Sequence, residues 1–232
     1  MGIKDWLGRG KKPEGESRNA SRAPAQPEKI ERMNALLAIG CSIQKWSFKA
    51  AGPYLAARHG HDKHISPRIL YFDADQAFMD ARQLAKEIGD KSKEAEILYN
   101  WALLQWHPPA KGISFTSGSA GEKLQKMMSY AQSLENMPEG MKASPEETPC
   151  ESAPELALQF FLEAFPLAEE TGHDLVATAS LLYSAQIYKA RGDAEKYQAR
   201  IEKLRQKIIG IGRAKTPLPQ WLLDEIKEEA GL

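Results

Sequence analysis

The residues best suited to chemistry stand in one short run, "HGHDKH", which puts His59, His61, Asp62 and His64 within six positions. Imidazole and carboxylate are both Zn²⁺ ligands, and a loop can wrap them around an ion. No matching cysteine or glutamate cluster stands elsewhere in the chain, however, so the run reads as a solvated connector and no metal site is assigned. A second run, "GSAGEK" at 118–123, places a lysine after glycine and before a helical pattern. It lacks the spacing of a phosphate loop and a preceding strand, so it predicts no nucleotide site. No nucleophile motif or dinucleotide fingerprint occurs. The expectation is a protein without catalytic residues, cofactor or metal.

The composition narrows the classes further. Apolar residues make up 42% and charged residues 27%, an ordinary balance for a globular protein. The 232 residues are enough to bury a core. The formal net charge is zero, so there is no global basic field of the kind nucleic-acid binders use. No apolar run approaches the ~18 residues of a membrane span, and the start lacks the apolar stretch of a secretory signal. Cys41 and Cys150 lie far apart and read as reduced thiols, which points to the cytoplasm.

The first residues, "MGIKDWLGRGKK", set Ile3, Trp6 and Leu7 on one side of a short helix, followed by Arg9, Lys11 and Lys12. That pattern suits weak contact with a membrane surface, anchored by the three apolar side chains and aided by the bases. Residues 9–27 hold Gly, Pro, Ser and charge with almost nothing apolar, and read as a flexible, protease-sensitive segment. The organisation expected is therefore a tethered 1–27 segment and a helical domain over 28–232.

Within that domain nearly every stretch carries helical spacing. Helices are expected over about 27–46, around 47–60 with a break or kink at Gly52-Pro53, and from Ser66-Pro67 to Gly89. Others should run from about 91 to 106, 122 to 137, Pro154 to Thr171, Asp174 to Arg191, Asp193 to Ile209, and 217 to 232. No segment alternates with period two, so the class is all-α.

One helix is written twice. "ADQAFMDARQLAKEIGD" from Ala74 and "ALQFFLEAFPLAEETGH" from Ala157 agree at eight of seventeen positions, 83 residues apart. Ala74, Phe78 and Ala81 share one helical face, as do Ala157, Phe161 and Ala164. Small residues let a neighbouring helix approach while the ring fills the gap, so both phenylalanines should be buried. The offset continues into the next helix, where Leu98 aligns with Leu181 and Ala102 with Ala185.

These features, with "SLLYSAQIYKARGD" supplying Leu181, Ala185, Tyr188 and Gly192-Asp193, resemble the tetratricopeptide repeat (TPR) family over about residues 66–106 and 154–209. The match is degenerate: the usual early tryptophan is absent, Ser184 replaces a leucine and Tyr197 an alanine. The offset reads as two steps of about 41 or 42 residues, longer than the ~34-residue form, with a loosely matching repeat in between. The resemblance implies antiparallel helical hairpins stacked into an irregular α-solenoid. It implies a groove that holds a peptide or amphipathic helix of a partner protein without chemistry.

The groove residues carried over are Glu96, Tyr99, Asn100, Leu103, Trp106, Leu182, Gln186 and Lys189. The alternative for Tyr99 and Trp106 is packing against neighbouring helices. Asn100 fits a carboxylate clamp, but Tyr183 stands where that clamp needs arginine, so no carboxylate capture is expected. The function expected is a protein-binding scaffold, with a membrane-surface adaptor using the N-terminal segment as the alternative. The last helix carries Leu218, Leu222 and Ile226 on one side, and reads as a cap with Trp221 buried, or else as a detachable ligand for another groove.

Overall fold

The computed structural model describes residues 26–60, 64–114, 150–214 and 217–231. Ile3, Trp6, Leu7, nearly all of the 1–27 segment, His61, Asp62, "GSAGEK" and the helix expected at 122–137 lie outside the described residues.

The described residues form eight helices: α1 (Gln26–Gln44), α2 (Ala51–His59), α3 (Pro67–Ile88), α4 (Lys91–Trp106), α5 (Pro154–Glu170), α6 (Asp174–Ala190), α7 (Ala194–Ala214) and α8 (Gln220–Ala230). The all-α reading holds, with one small addition. Strands β1 (His64–Ile65) and β2 (Ile113–Ser114) pair antiparallel, Ile65 opposite Ile113, and tie the chain before α3 to the chain after α4. Two residues are too few to show a period, so no alternation announces this pair. Gly112 permits it, because a Cβ there would lie 2.6 Å from the Ile65 carbonyl oxygen.

Helix ends follow the local chemistry. Ser66 caps α3 by accepting from the Ile69 amide, and Pro67 fills the first turn where an amide has no partner to lose. The kink expected at Gly52-Pro53 does not form: α2 starts at Ala51, which puts Pro53 in its first turn, where proline is tolerated. α7 runs five residues past Ile209 to Ala214. Three helix junctions use one device. Gly89, Gly172 and Gly192 take positive φ, and the following amides of Asp90, His173 and Asp193 donate to the carbonyls of Ala85, Ala168 and Tyr188. Asp90 and Asp193 then cap the next helix by accepting from Lys93 and Lys196. Such short turns make antiparallel neighbours of α3 and α4, α5 and α6, and α6 and α7.

α1 packs on α3, α3 on α4, α4 on α5, α5 on α6 and α6 on α7, while α8 lies on α6 and α7. α4 and α5 are thus direct partners even though 47 residues (107–153) separate them in the chain. Among the described residues the core forms two clusters that meet at α4. Ile97 and Leu104 face the cluster around Phe78, whereas Ala95, Leu98, Tyr99 and Ala102 face the cluster around Phe161. A helix buried on two sides loses the single apolar stripe of a surface helix. α6 goes further: every residue from Val176 to Leu182 is buried.

Candidate functional site

Both phenylalanines of the repeated helix are fully buried, as are the alanines at 74, 81, 157 and 164. Gly40 of α1 lies directly over the Phe78 ring, where a Cβ would come within 2.8 Å of ring carbons. Around Phe161 the neighbours are aromatic instead. Its ring sits 5.6 Å from Tyr183, 6.1 Å from Tyr99 and 6.2 Å from Trp106. Tyr99 stacks on Tyr183, and Trp106 meets Tyr183 edge-on. The result is an aromatic ledge across α4 and α6 with Phe161 beneath it.

The ledge also carries polar groups. Tyr99 and Tyr183 stack on each other, and the Glu225 carboxylate of α8 lies close enough to Tyr183 for its charge to act on the hydroxyl. Burial, and then the adjacent Glu225 charge, push Tyr183 up to about 12. Burial also raises Tyr99. His107, at the end of α4, is held below its ordinary value by burial, with Glu225 pulling the other way. Both tyrosines therefore stay neutral hydrogen-bonding groups at neutral pH, and none of these residues forms a nucleophile–base pair.

The eight residues expected to line a groove separate into two groups. Leu182 is 0% exposed, Asn100 5% and Tyr99 7%, so these three pack within the helices and present little or no surface. Asn100 donates to the Glu96 carbonyl, one turn back. In a single repeat the Leu182 side is open to solvent; here α6 is surrounded. Leu103, Trp106 and Gln186 are half-buried, Glu96 is ion-paired with Lys93 at 2.7 Å, and Lys189 is exposed. Lys189 already has a partner, Glu229 of α8, at 2.8 Å. Sequence reasoning missed Tyr183, His107 and Glu225 as members of the site. Tyr183 was visible as the departure from the clamp pattern, but nothing local marks Glu225, which arrives on a helix 42 residues further on.

α8 buries Leu222, Ile226 and Ala230, and Leu218, two residues before it, is half-buried. Trp221 is 45% exposed, which corrects the expectation that it is buried. Positions 222, 226 and 230 form one face at four-residue steps, and position 221 lies a quarter-turn away from it.

Among the described residues of the histidine run the solvated reading fails at His59 alone; His64 is exposed. His59 is half-buried and paired: its Nε2 lies 2.6 Å from Asp73 of α3, a carboxylate only 3% exposed, and Arg58 approaches the other oxygen at 3.2 Å. Together they clip α2 onto α3. Among the described residues no three His, Cys, Asp or Glu side chains converge on a common metal position. A cleft of about 580 Å³ between α5, α6 and α7 has Lys207 at its edge, bonded to both Glu169 and Asp174. That lysine is therefore neutralised within the fold.

Ion pairs also cross the helix stack. Arg82 of α3 bonds Glu94 of α4 and Glu163 of α5. Burial raises the Glu163 carboxyl, but hydrogen bonds from Gln159 and Arg82 outweigh it, and the net shift is below the ordinary 4.5. A carboxyl lowered in the folded state contributes stability that is present above its unfolded value and lost as the pH falls through the folded value. Wild-type melting temperature is therefore expected to drop between pH 5 and 3 by more than that of Glu163→Gln. Parallel acid limbs for the two proteins refute the role given to this pair.

The chain matches no family model, no curated protein and no solved structure. Its class is that of an all-α protein, and among the described residues no helix is long and apolar enough to cross a membrane.

Proposed function

We propose that the chain is a TPR-like stack of helical hairpins that works without chemistry, as a scaffold holding a helix or peptide of a partner protein. The stack would comprise α1 with α3, α4 with α5, and α6 with α7, with the additional segments 45–66 and 107–153 placed between the two helices of the first two hairpins. On this reading the 83-residue offset is one enlarged step rather than two ordinary ones. The repeated Gly turns and the order in which helices pack support it. The free thiols Cys41 and Cys150 suit the cytoplasm.

The single observation that carries the function is the aromatic ledge, whose half-buried members are Trp106 and Tyr183, with Leu103 also half-buried on α4. These side chains are half-buried and aromatic or aliphatic, and lie next to a place where an amphipathic helix is already seated. Aromatic side chains of this kind, fixed by their neighbours, are the usual anchors of protein interfaces. Affinity capture with the full chain, followed by mass spectrometry, tests the proposal. A partner retained by wild type is expected to bind Trp106→Ala at least ~10-fold more weakly, the loss of an anchor worth about 1.4 kcal/mol or more. Equal retention by a folded Trp106→Ala protein sinks it.

A further inference from the structure

α8 is an unusual ligand for its own protein, because the seat recognises the end of a helix as well as its side chains. Two carbonyls of its last turn, which have no intrahelical partner, are met by donors from α7. Tyr197 donates to the Glu229 carbonyl at 3.2 Å, and the Arg205 guanidinium donates to the Ala230 carbonyl at 2.6 Å. Lys189 of α6 pairs with the Glu229 side chain at the same end, where a cation also complements the helix dipole. Tyr183 meets Glu225 one turn earlier. Leu222, Ile226 and Ala230 supply the apolar anchors. Much of this recognition is addressed to backbone carbonyls and carboxylates, which any acidic helix ending at that place would present.

α8 is also poorly able to hold itself in place. Its 11 residues fall short of the ~12–15 that an isolated helix needs, so it is helical because it is docked. Gln220, Trp221, Asp224, Lys227 and Glu228 on its other side are exposed. Pro219 is extended at φ −60°, ψ 142°, so α8 follows a non-helical joint and does not continue another helix.

Resting on the scaffold reading above, we infer that this seat on α6 and α7 is the docking site for a partner's acidic amphipathic helix, and that α8 is its exchangeable intramolecular occupant. The partner helix has apolar side chains at i, i+4 and i+8 and carboxylates at i+3 and i+7, and it ends at Arg205. Those are the positions of Leu222, Ile226, Ala230, Glu225 and Glu229 in α8. Being tethered, α8 competes at an effective concentration on the order of millimolar. A partner helix of equal affinity displaces α8 only above that concentration, and one that binds more tightly, or a weakened α8, lowers the threshold in proportion.

The test uses a fluorescein-labelled synthetic peptide of residues 217–232, titrated by anisotropy into the full-length protein. In Ile226→Asp the tethered helix is undocked, and the peptide is expected to bind saturably and at least ~10-fold more tightly than it binds wild type. Adding Arg205→Ala to that variant should weaken the peptide. If Ile226→Asp does not fold by circular dichroism, the rim variant Glu225→Lys/Glu229→Lys replaces it, because the apolar core is then untouched. Failure of the peptide to bind the folded variant, or equal binding to variant and wild type, overturns the inference. Either result leaves the scaffold reading standing, since that depends on the Trp106→Ala comparison; loss of the Trp106 effect would spare the α8 exchange.

Discussion

Phe161→Ala is expected to lower the unfolding free energy by about 3–5 kcal/mol, the range for removing a buried aromatic ring. The ring is 0% exposed and touches side chains from two other helices, Tyr99 and Trp106 of α4 and Tyr183 of α6. Collapse around the resulting cavity is hindered. Ala157 and Ala164 on the same face already bring the helices close, and Tyr99 and Tyr183 are stacked on each other over the ring. The melting temperature should fall by roughly 10 °C. Phe72→Ala is the control, because that ring is 54% exposed on α3 and its loss should change stability by about 0.5 kcal/mol or less. Urea unfolding with an unchanged m-value measures both. A loss below about 1 kcal/mol for Phe161→Ala contradicts its place at the centre of the second core cluster.

A comparably large loss is expected from Asp75→Leu. One oxygen of Asp75 accepts from the Trp101 indole at 2.7 Å and from the Gln105 amide at 2.8 Å. Gln105 is 1% exposed, and its own oxygen accepts from the Tyr71 hydroxyl at 2.5 Å. Without the carboxylate two donors are stranded between α3 and α4. A buried donor without an acceptor costs about 1–3 kcal/mol, so the pair amounts to roughly 2–6 kcal/mol, toward the low end because both bonds are only partly buried. Asp75→Asn keeps an acceptor oxygen in place and is expected to lose less than half as much. Trp101, stacked on Phe160 at 4.3 Å, provides the optical readout through its fluorescence. Equal stability of the Leu and Asn variants would show that the carboxylate–donor bonds contribute nothing.

Set side by side, the two experiments separate what the repeated helix shares from what each copy does alone. Phe78 and Phe161 are 83 positions apart and occupy the same kind of place, fully buried between alanines. Asp75 has no such counterpart. The same offset leads to Leu158, and from Trp101 and Gln105 it leads to Ser184 and Tyr188. The first copy joins its helices with a polar network and the second with aliphatic and aromatic contact. The frame is common, while the means of holding it together differ.

The amino-acid order by itself determined the helical class, most helix boundaries, the glycine turns and the burial of both phenylalanines. All of these depend on spacing within one helix or on the chemistry of a few adjacent residues, and so they can be read locally. It did not determine which side of α4 and α6 faces outward. Tyr99, Asn100 and Leu182 are carried over from a repeat considered singly, but α4 is covered on two sides and α6 along a continuous run, which only the packing of several helices imposes. Tertiary structure alone also placed Gly40 on the Phe78 ring, His59 on Asp73, and Glu225 and Glu229 of α8 against Tyr183 and Lys189. Each of these contacts joins residues far apart in the chain, where spacing carries no signal. Close approach of packed helices, and the need to pair every polar group they bury, selected them.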